Sequence, residues 1–374
     1  MKKIVSLILT VIIALSLASC GLGKKTLTSE QKVSLQTETE RMMDESLIKG
    51  VAYAAVNGEE IISAAKGKAD KDKDIDNSAD VAYRYASVSK QFTAAAIMLL
   101  YERGFLDLND TIDKYFPDYQ YGKEISIHML LCMRSGIVDY VNDYDTDNGE
   151  GTVRPDTDIE FDVSPDKTAL ENRREIEKWI FSQPLRFTPD SSFEYNSSSY
   201  MLLGEIVEQV SGKNYEDFLR EEFFEPLGMD TAGFGDSYDN EDTVLAKEYS
   251  RGEEGEWTMC PGARFGAGDL VCSTKDLAKW LDALMNGRVV SQKSWELMTT
   301  VYSDENPDMP YGYGLMVSGR GNDKIVWHTG HFPSFYSVAI MVPKDGFVCT
   351  TVSNHACENT PTLGLRITKM FKEL

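Results

Sequence analysis

The chain has 374 residues and a formal net charge of -22, with 60 Asp and Glu against 38 Lys and Arg. That length allows a large core and two subdomains, and so acidic a surface argues against nucleic acid as a partner. Of the cysteines, Cys132, Cys260, Cys272, Cys349 and Cys357 follow Cys20 with no C-x-x-C pair, which argues against a disulfide framework and a zinc site.

In chain order, Lys2-Lys3, the apolar run Ile4 to Leu17 and Leu17-Ala18-Ser19-Cys20 read as a lipoprotein signal peptide (1–19) with a lipidation site at Cys20. The apolar run is too short to span a membrane. Lipid on Cys20 would tether the remainder to the outer face of a bacterial membrane, through a polar tether over 20–30. An amphipathic helix is expected from Glu30 to about Ile48. A hairpin follows, with Val51 to Val56 and Ile61-Ile62 joined by Asn57-Gly58, a pair that tolerates the positive φ of a tight turn. Lys71 to Asp80 reads as a charged loop.

Next comes Ser87-Val88-Ser89-Lys90, running into the apolar stretch Phe92 to Leu100 with no breaker before Gly104. One helical turn separates Ser87 from Lys90, so a hydroxyl at a helix start has an amine on the same face. That pairing suits a nucleophile beside a proton acceptor, although S-x-x-K alone also describes a capping serine and a surface lysine.

Helices are expected at Ile125 to Cys132, Glu171 to Ser182, Tyr200 to Val210, Asn214 to Phe224, and Thr274 to Met285, the last capped by Thr274. Asp139 to about Lys167 is an acidic, Gly/Pro-punctuated loop. Lys324 to Trp327, Phe335 to Val342 and Phe347 to Val352 read as strands, and Leu363 to Phe371 as a closing helix. Strands at both ends and helices between them predict an α+β fold. An antiparallel β-sheet flanked by helices (about 31–105 and 300–374) would carry an inserted, mostly helical domain (about 106–299) within one unit, 31–374.

Tyr195-Asn196-Ser197, before a helix, and His328-Thr329-Gly330, at the end of a strand, follow the S-x-x-K segment. In this order the three motifs resemble those of the serine β-lactamase and penicillin-recognising family. The likeness is to its class C-like branch of β-lactamases, DD-carboxypeptidases and related esterases. Ser135-Gly136-Ile137, Pro226-Leu227-Gly228-Met229, Ser273-Thr274-Lys275-Asp276-Leu277 and Tyr311-Gly312-Tyr313-Gly314 extend it over nearly all of the chain after Cys20.

The resemblance implies that Ser87 is the acylated nucleophile and that Lys90 relays its proton. Tyr195 would be the general base, its phenolate stabilised by Lys90. The N–H groups of Ser87 and His331 would form the oxyanion hole. Ser197, His328, Thr329 and Gly330 would bind substrate, with His328 and Thr329 receiving a carboxylate and Gly330 allowing close backbone approach. No metal or cofactor is implied. A packing tyrosine and a satisfied structural histidine are the plainer readings of positions 195 and 328. Serine at 197 stands where the family usually has asparagine, Asp190 where it has glycine, and Ser334 where glycine is frequent. Arg264 could help bind a carboxylate, but no spacing rule supports it and it stays outside the expected site. The histidine before Thr-Gly and the cell-surface anchor point to a D-alanyl-D-alanine carboxypeptidase-like hydrolase. The expected partners are D-amino-acid peptides, esters or β-lactams, with the membrane reached through Cys20. An esterase, a β-lactamase and a penicillin-binding sensor that does not turn over are the alternatives.

Overall fold

The structure, a computed structural model, describes residues 25–141, 162–249, 260–303, 306 and 309–374. The signal segment, Cys20 and residues 142–161 of the acidic loop lie outside the described residues. Helix α1 (Ser29–Glu45) starts under a capping box made by Thr28 and Gln31, so helix replaces the last residues of the expected tether. Strands β1 (Gly50–Val56) and β2 (Glu59–Lys66) form the expected hairpin, with φ of 51° at Asn57 and 80° at Gly58. Short strands β3 (Lys68–Asp70), β4 (Ile75–Asp76) and β5 (Ala82–Arg84) lead to a 3-10 turn, Ala86–Ser89, that runs into α2 (Lys90–Glu102).

The middle of the chain holds α3 (Ile127–Leu131), α4 (Ala169–Ser182), α5 (Ser197–Ser211), α6 (Tyr215–Leu219) and α7 (Glu225–Leu227). It also holds a small sheet that the sequence did not announce. There β7 (Leu270–Ser273) pairs with β5 on one side and β6 (Gly233–Phe234) on the other. After β7 come α8 (Thr274–Met285), capped by Ser273 rather than Thr274, and α9 (Gln292–Met298). Strands β8 (Met316–Ser318), β9 (Ile325–Phe332), β10 (Phe335–Val342) and β11 (Phe347–Ser353) precede the last helix, α10 (Asn359–Glu373).

The main sheet has the order β2-β1-β11-β10-β9-β8 and is antiparallel throughout. Pairing of β1 with β11, from Gly50 opposite Ser353 to Val56 opposite Phe347, joins the two ends of the chain. Strand β1 is buried along its whole length because each face has its own cover. Ala52, Ala54 and Val56 pack with Leu35, Met43, Leu363 and Ile367 of α1 and α10. Val51, Tyr53 and Ala55 belong instead to the larger core, with Leu277, Trp280 and Leu281 of α8. Helix α8, expected in the helical part, therefore lies on the sheet.

Strand β9 runs five residues beyond its expected end at Trp327, through His328-Thr329-Gly330 to Phe332. Pairing with β10 carries on until Phe332 meets Phe335 across a two-residue turn. Strand β8 pairs only with Ile325 to Trp327, so residues 328–332 extend past it. The Ala86–Ser89 turn packs on that extension.

Candidate active site

Ser87 sits in the turn before α2, after Ala86, whose φ of 48° is in the left-handed region that a residue with a Cβ seldom adopts. Ser89 ties the turn down: its hydroxyl donates to the Ala86 carbonyl at 2.6 Å and accepts from Leu270 N–H at 2.9 Å. The other anchor is Gly330, where a Cβ would lie 2.0 Å from the Tyr85 carbonyl oxygen. Ser337 on β10 donates to that same oxygen at 3.1 Å. Gly330 thus gives close backbone approach to the protein's own nucleophile turn, and it does not line the cavity.

Helix α2 is buried on nearly every side, which takes Lys90 into the interior at 1% exposure. Its Nζ donates to Ser87 Oγ at 3.1 Å, to the Ala267 carbonyl at 3.0 Å and to Ser197 Oγ at 3.4 Å. Burial lowers the amine from 10.5 to about 7, with Asp139 acting in the opposite direction. At neutral pH a large fraction of Lys90 is therefore uncharged and able to accept the Ser87 proton.

Tyr195 lies across the site with its ring 4.9 Å from Lys90 Nζ and edge-on to Tyr311. Its hydroxyl is buried without a hydrogen-bond partner of proper geometry. Burial raises the phenol well above its usual range; Ser87, close by, offsets part of the rise and Asp139 adds to it. The amine meets the face of the ring rather than its oxygen, and burial favours the neutral form of both groups.

His328 is buried at 1% exposure. Its Nδ1 lies 2.6 Å from the Thr329 carbonyl, so that nitrogen carries the proton and donates, and Nε2 accepts from the Tyr311 hydroxyl at 3.2 Å. Burial, then the nearby Lys90 charge, lowers the ring to about 3, against the pull of the Thr329 carbonyl. In this arrangement His328 is a neutral ring with both nitrogens engaged within the protein.

Ser197 begins α5 with its hydroxyl toward Lys90, while Asn196 caps that helix. The Asn196 side chain accepts from Ser199 N–H and donates to the Ile137 carbonyl, so it cannot stand in for the missing asparagine. Asp190 holds a φ of 65°, which explains the usual glycine there, and Arg134 steadies it through Nε to Oδ1 at 2.7 Å. The buried Ser334 hydroxyl lies in the turn between β9 and β10. His331 is exposed, its ring 4.4 Å from Tyr336, and its N–H belongs to the strand segment abutting the Ser87 turn.

These groups share one cavity of about 300 Å³, lined by Ser87, Lys90, Tyr195, Ser197, His328, Thr329 and His331, with Tyr140, Val141, Met309, Met316 and Phe332 supplying its apolar wall. Two residues outside the expected site act on these groups. Arg264 lines the cavity at 9% exposure, its guanidinium 4.8 Å from the Phe332 ring centroid. Asp139, 1% exposed, acts electrostatically on both Lys90 and Tyr195. Neither stands in a motif with its own spacing, and only folding brings them to the nucleophile. Among the described residues no cluster of His, Cys, Asp and Glu could hold a metal ion.

The Beta-lactamase family model matches residues 35–366. The putative penicillin-binding protein PbpX of Bacillus subtilis is 30% identical over 299 residues, covering 79% of this chain and 67% of that protein. Protein flp of Staphylococcus aureus is 25% identical over 355 residues, covering 90% of this chain and 66% of its own length. The chain thus spans about two thirds of the curated relatives it matches. The crystal structure of D-amino acid amidase from Ochrobactrum anthropi SV3, complexed with L-phenylalanine, superimposes with a TM-score of 0.72 at 25% identity, covering 92% of this chain and 99% of that one.

Proposed function

The chain belongs to the beta-lactamase family of serine hydrolases, and from that premise we propose that it hydrolyses D-amino-acid peptides or amides through an acyl-enzyme on Ser87. The observation that carries the reading is the contact between Ser87 Oγ and a lysine amine that burial brings to about 7. Neutral Lys90 takes the Ser87 proton as Oγ bonds to the scissile carbonyl carbon. The resulting oxyanion is placed for the N–H groups of Ser87 and His331. Collapse breaks the bond to the leaving amine, which takes the proton held by Lys90, directly or relayed through the Tyr195 hydroxyl. Water then attacks the acyl ester and returns the proton to Ser87. The role sketched for Tyr195 becomes proton donor rather than resting phenolate.

A D-alanyl-D-alanine carboxypeptidase-like activity is the specific form proposed. A lipid anchor at Cys20 would hold the site beside cell-wall peptides, and the D-amino acid amidase likeness favours substrates of that configuration. An esterase is the second reading, favoured by the neutral, fully engaged His328, which removes one expected recognition element for a carboxylate. The test is release of D-alanine from a diacyl-L-Lys-D-Ala-D-Ala peptide, with 4-nitrophenyl ester hydrolysis and fluorescent-penicillin labelling run beside it, each compared with Ser87→Ala. Ser87-dependent D-alanine release supports the peptidase. Ester hydrolysis without it moves the assignment to an esterase. A permanent penicillin adduct with no turnover of peptide or ester means a sensor.

A further inference from the structure

The even-numbered residues at the end of β9 share one face, and each meets a different part of the site. His328 lies beside Tyr195, Gly330 receives the Tyr85 carbonyl just ahead of the nucleophile, and Phe332 packs against Arg264. Four residues of strand put the two ends about 13 Å apart, with the Ser87 turn between them. A leaving group protonated by Tyr195 or Lys90 departs at the His328 end. The acyl part left on Ser87 then extends toward Phe332 and Arg264.

The guanidinium there is held in place. Arg264 pairs with Asp236, and its Nε is 3.5 Å from Asp269 Oδ1. Asp236 also accepts from Gly262 N–H at 2.6 Å and Asp269 from Gly235 N–H at 3.1 Å. Arg84 feels the same two carboxylates and Glu248, and Asp269 also feels Glu216, so the two cations sit among several anions. Burial and then Asp236 push Asp269 up to about 7. Among the described residues no Asp or Glu side chain lines the cavity.

We propose that Arg264 and Phe332 form an acyl-side subsite for substrates whose acyl chain carries a carboxylate, an inference that rests on the acyl-hydrolase reading above. Arg264 attracts the carboxylate and Phe332 covers the carbon chain between it and the scissile carbonyl. Two aryl esters of equal chain length test this: mono-4-nitrophenyl adipate, with a terminal carboxylate, and neutral 4-nitrophenyl hexanoate. The expected kcat/KM ratio favours the adipate by about tenfold, the scale of one charge-assisted hydrogen bond. Arg264→Gln brings the ratio toward one, and Arg264→Lys keeps part of the preference. Equal Ser87-dependent hydrolysis of both esters by the native protein, or a ratio unmoved by Arg264→Gln, overturns the subsite and leaves the acyl-hydrolase reading standing. Absence of both hydrolysis and Ser87 labelling overturns that reading and the subsite with it. If Arg264→Gln does not fold, as judged by circular dichroism, the native ratio and the lysine variant decide.

Discussion

Replacing Lys90 with methionine should make the protein more stable at acid and neutral pH while removing its activity. The chain of a methionine fills similar space without the charge. Moving the amine from 10.5 to about 7 corresponds to a burial cost of about 5 kcal/mol. Below pH 7 the lysine is protonated in both states and the whole cost is present. Between 7 and 10.5 the unfolded chain holds a proton that the folded one has released, so native stability rises with pH, and above 10.5 the cost is gone. Against this, Lys90→Met forfeits the contacts with Ser87, Ser197 and Ala267, worth about 1 kcal/mol each. The net gain at pH 6 is then about 2 kcal/mol, and it falls by roughly 2–3 kcal/mol by pH 9 because the native penalty shrinks. Urea unfolding of both proteins at pH 6, 7.5 and 9, followed by circular dichroism, measures it. A difference that stays flat across that range would refute the reasoning, since the lysine would then not be carrying a depressed pKa.

The same titration predicts that kcat/KM for acylation rises with pH through about 7, as Lys90 loses its proton; a profile level from pH 5 to 9 removes Lys90 as the base. Tyr195→Phe should slow turnover by about 100-fold, the usual scale for loss of a proton-transfer group, and near-native rates exclude it from the mechanism. His328 should remain neutral with its proton on Nδ1 down to about pH 5, given a ring lowered to about 3; an NMR titration with a midpoint near 6.5 contradicts the buried geometry. Gly330→Ala should cost at least ~2 kcal/mol of stability and most of the acylation rate, because its Cβ collides with the Tyr85 carbonyl. Normal penicillin labelling by that variant would mean that β9 can move without disturbing Ser87.

Much of the architecture could be read from periodicity and turn chemistry. The β1–β2 hairpin is local: two apolar runs and an Asn-Gly pair whose positive φ values close it. The end of β9 was harder to see, because its continuation depends on pairing with β10 and on a neighbour that needs Gly330 to have no side chain. The β5-β7-β6 sheet escaped for a similar reason, since its strands are two to four residues long and come from distant parts of the chain.

What the sequence by itself determined were the chemically capable residues: a hydroxyl one helical turn from an amine, a tyrosine before a helix, and a His-Thr-Gly segment on a strand. Spacing along a helix or strand decides such neighbours, because the backbone repeat is fixed. What tertiary structure decided were their protonation states and their company. Lys90 is a usable base because α2 is buried on nearly every side, and His328 is neutral because burial and the nearby Lys90 outweigh the pull of the Thr329 carbonyl. Arg264 reaches the cavity from a loop far along the chain, held there by Asp236 and Asp269. Desolvation and long-range electrostatics depend on everything folded around a group, and no local pattern encodes them.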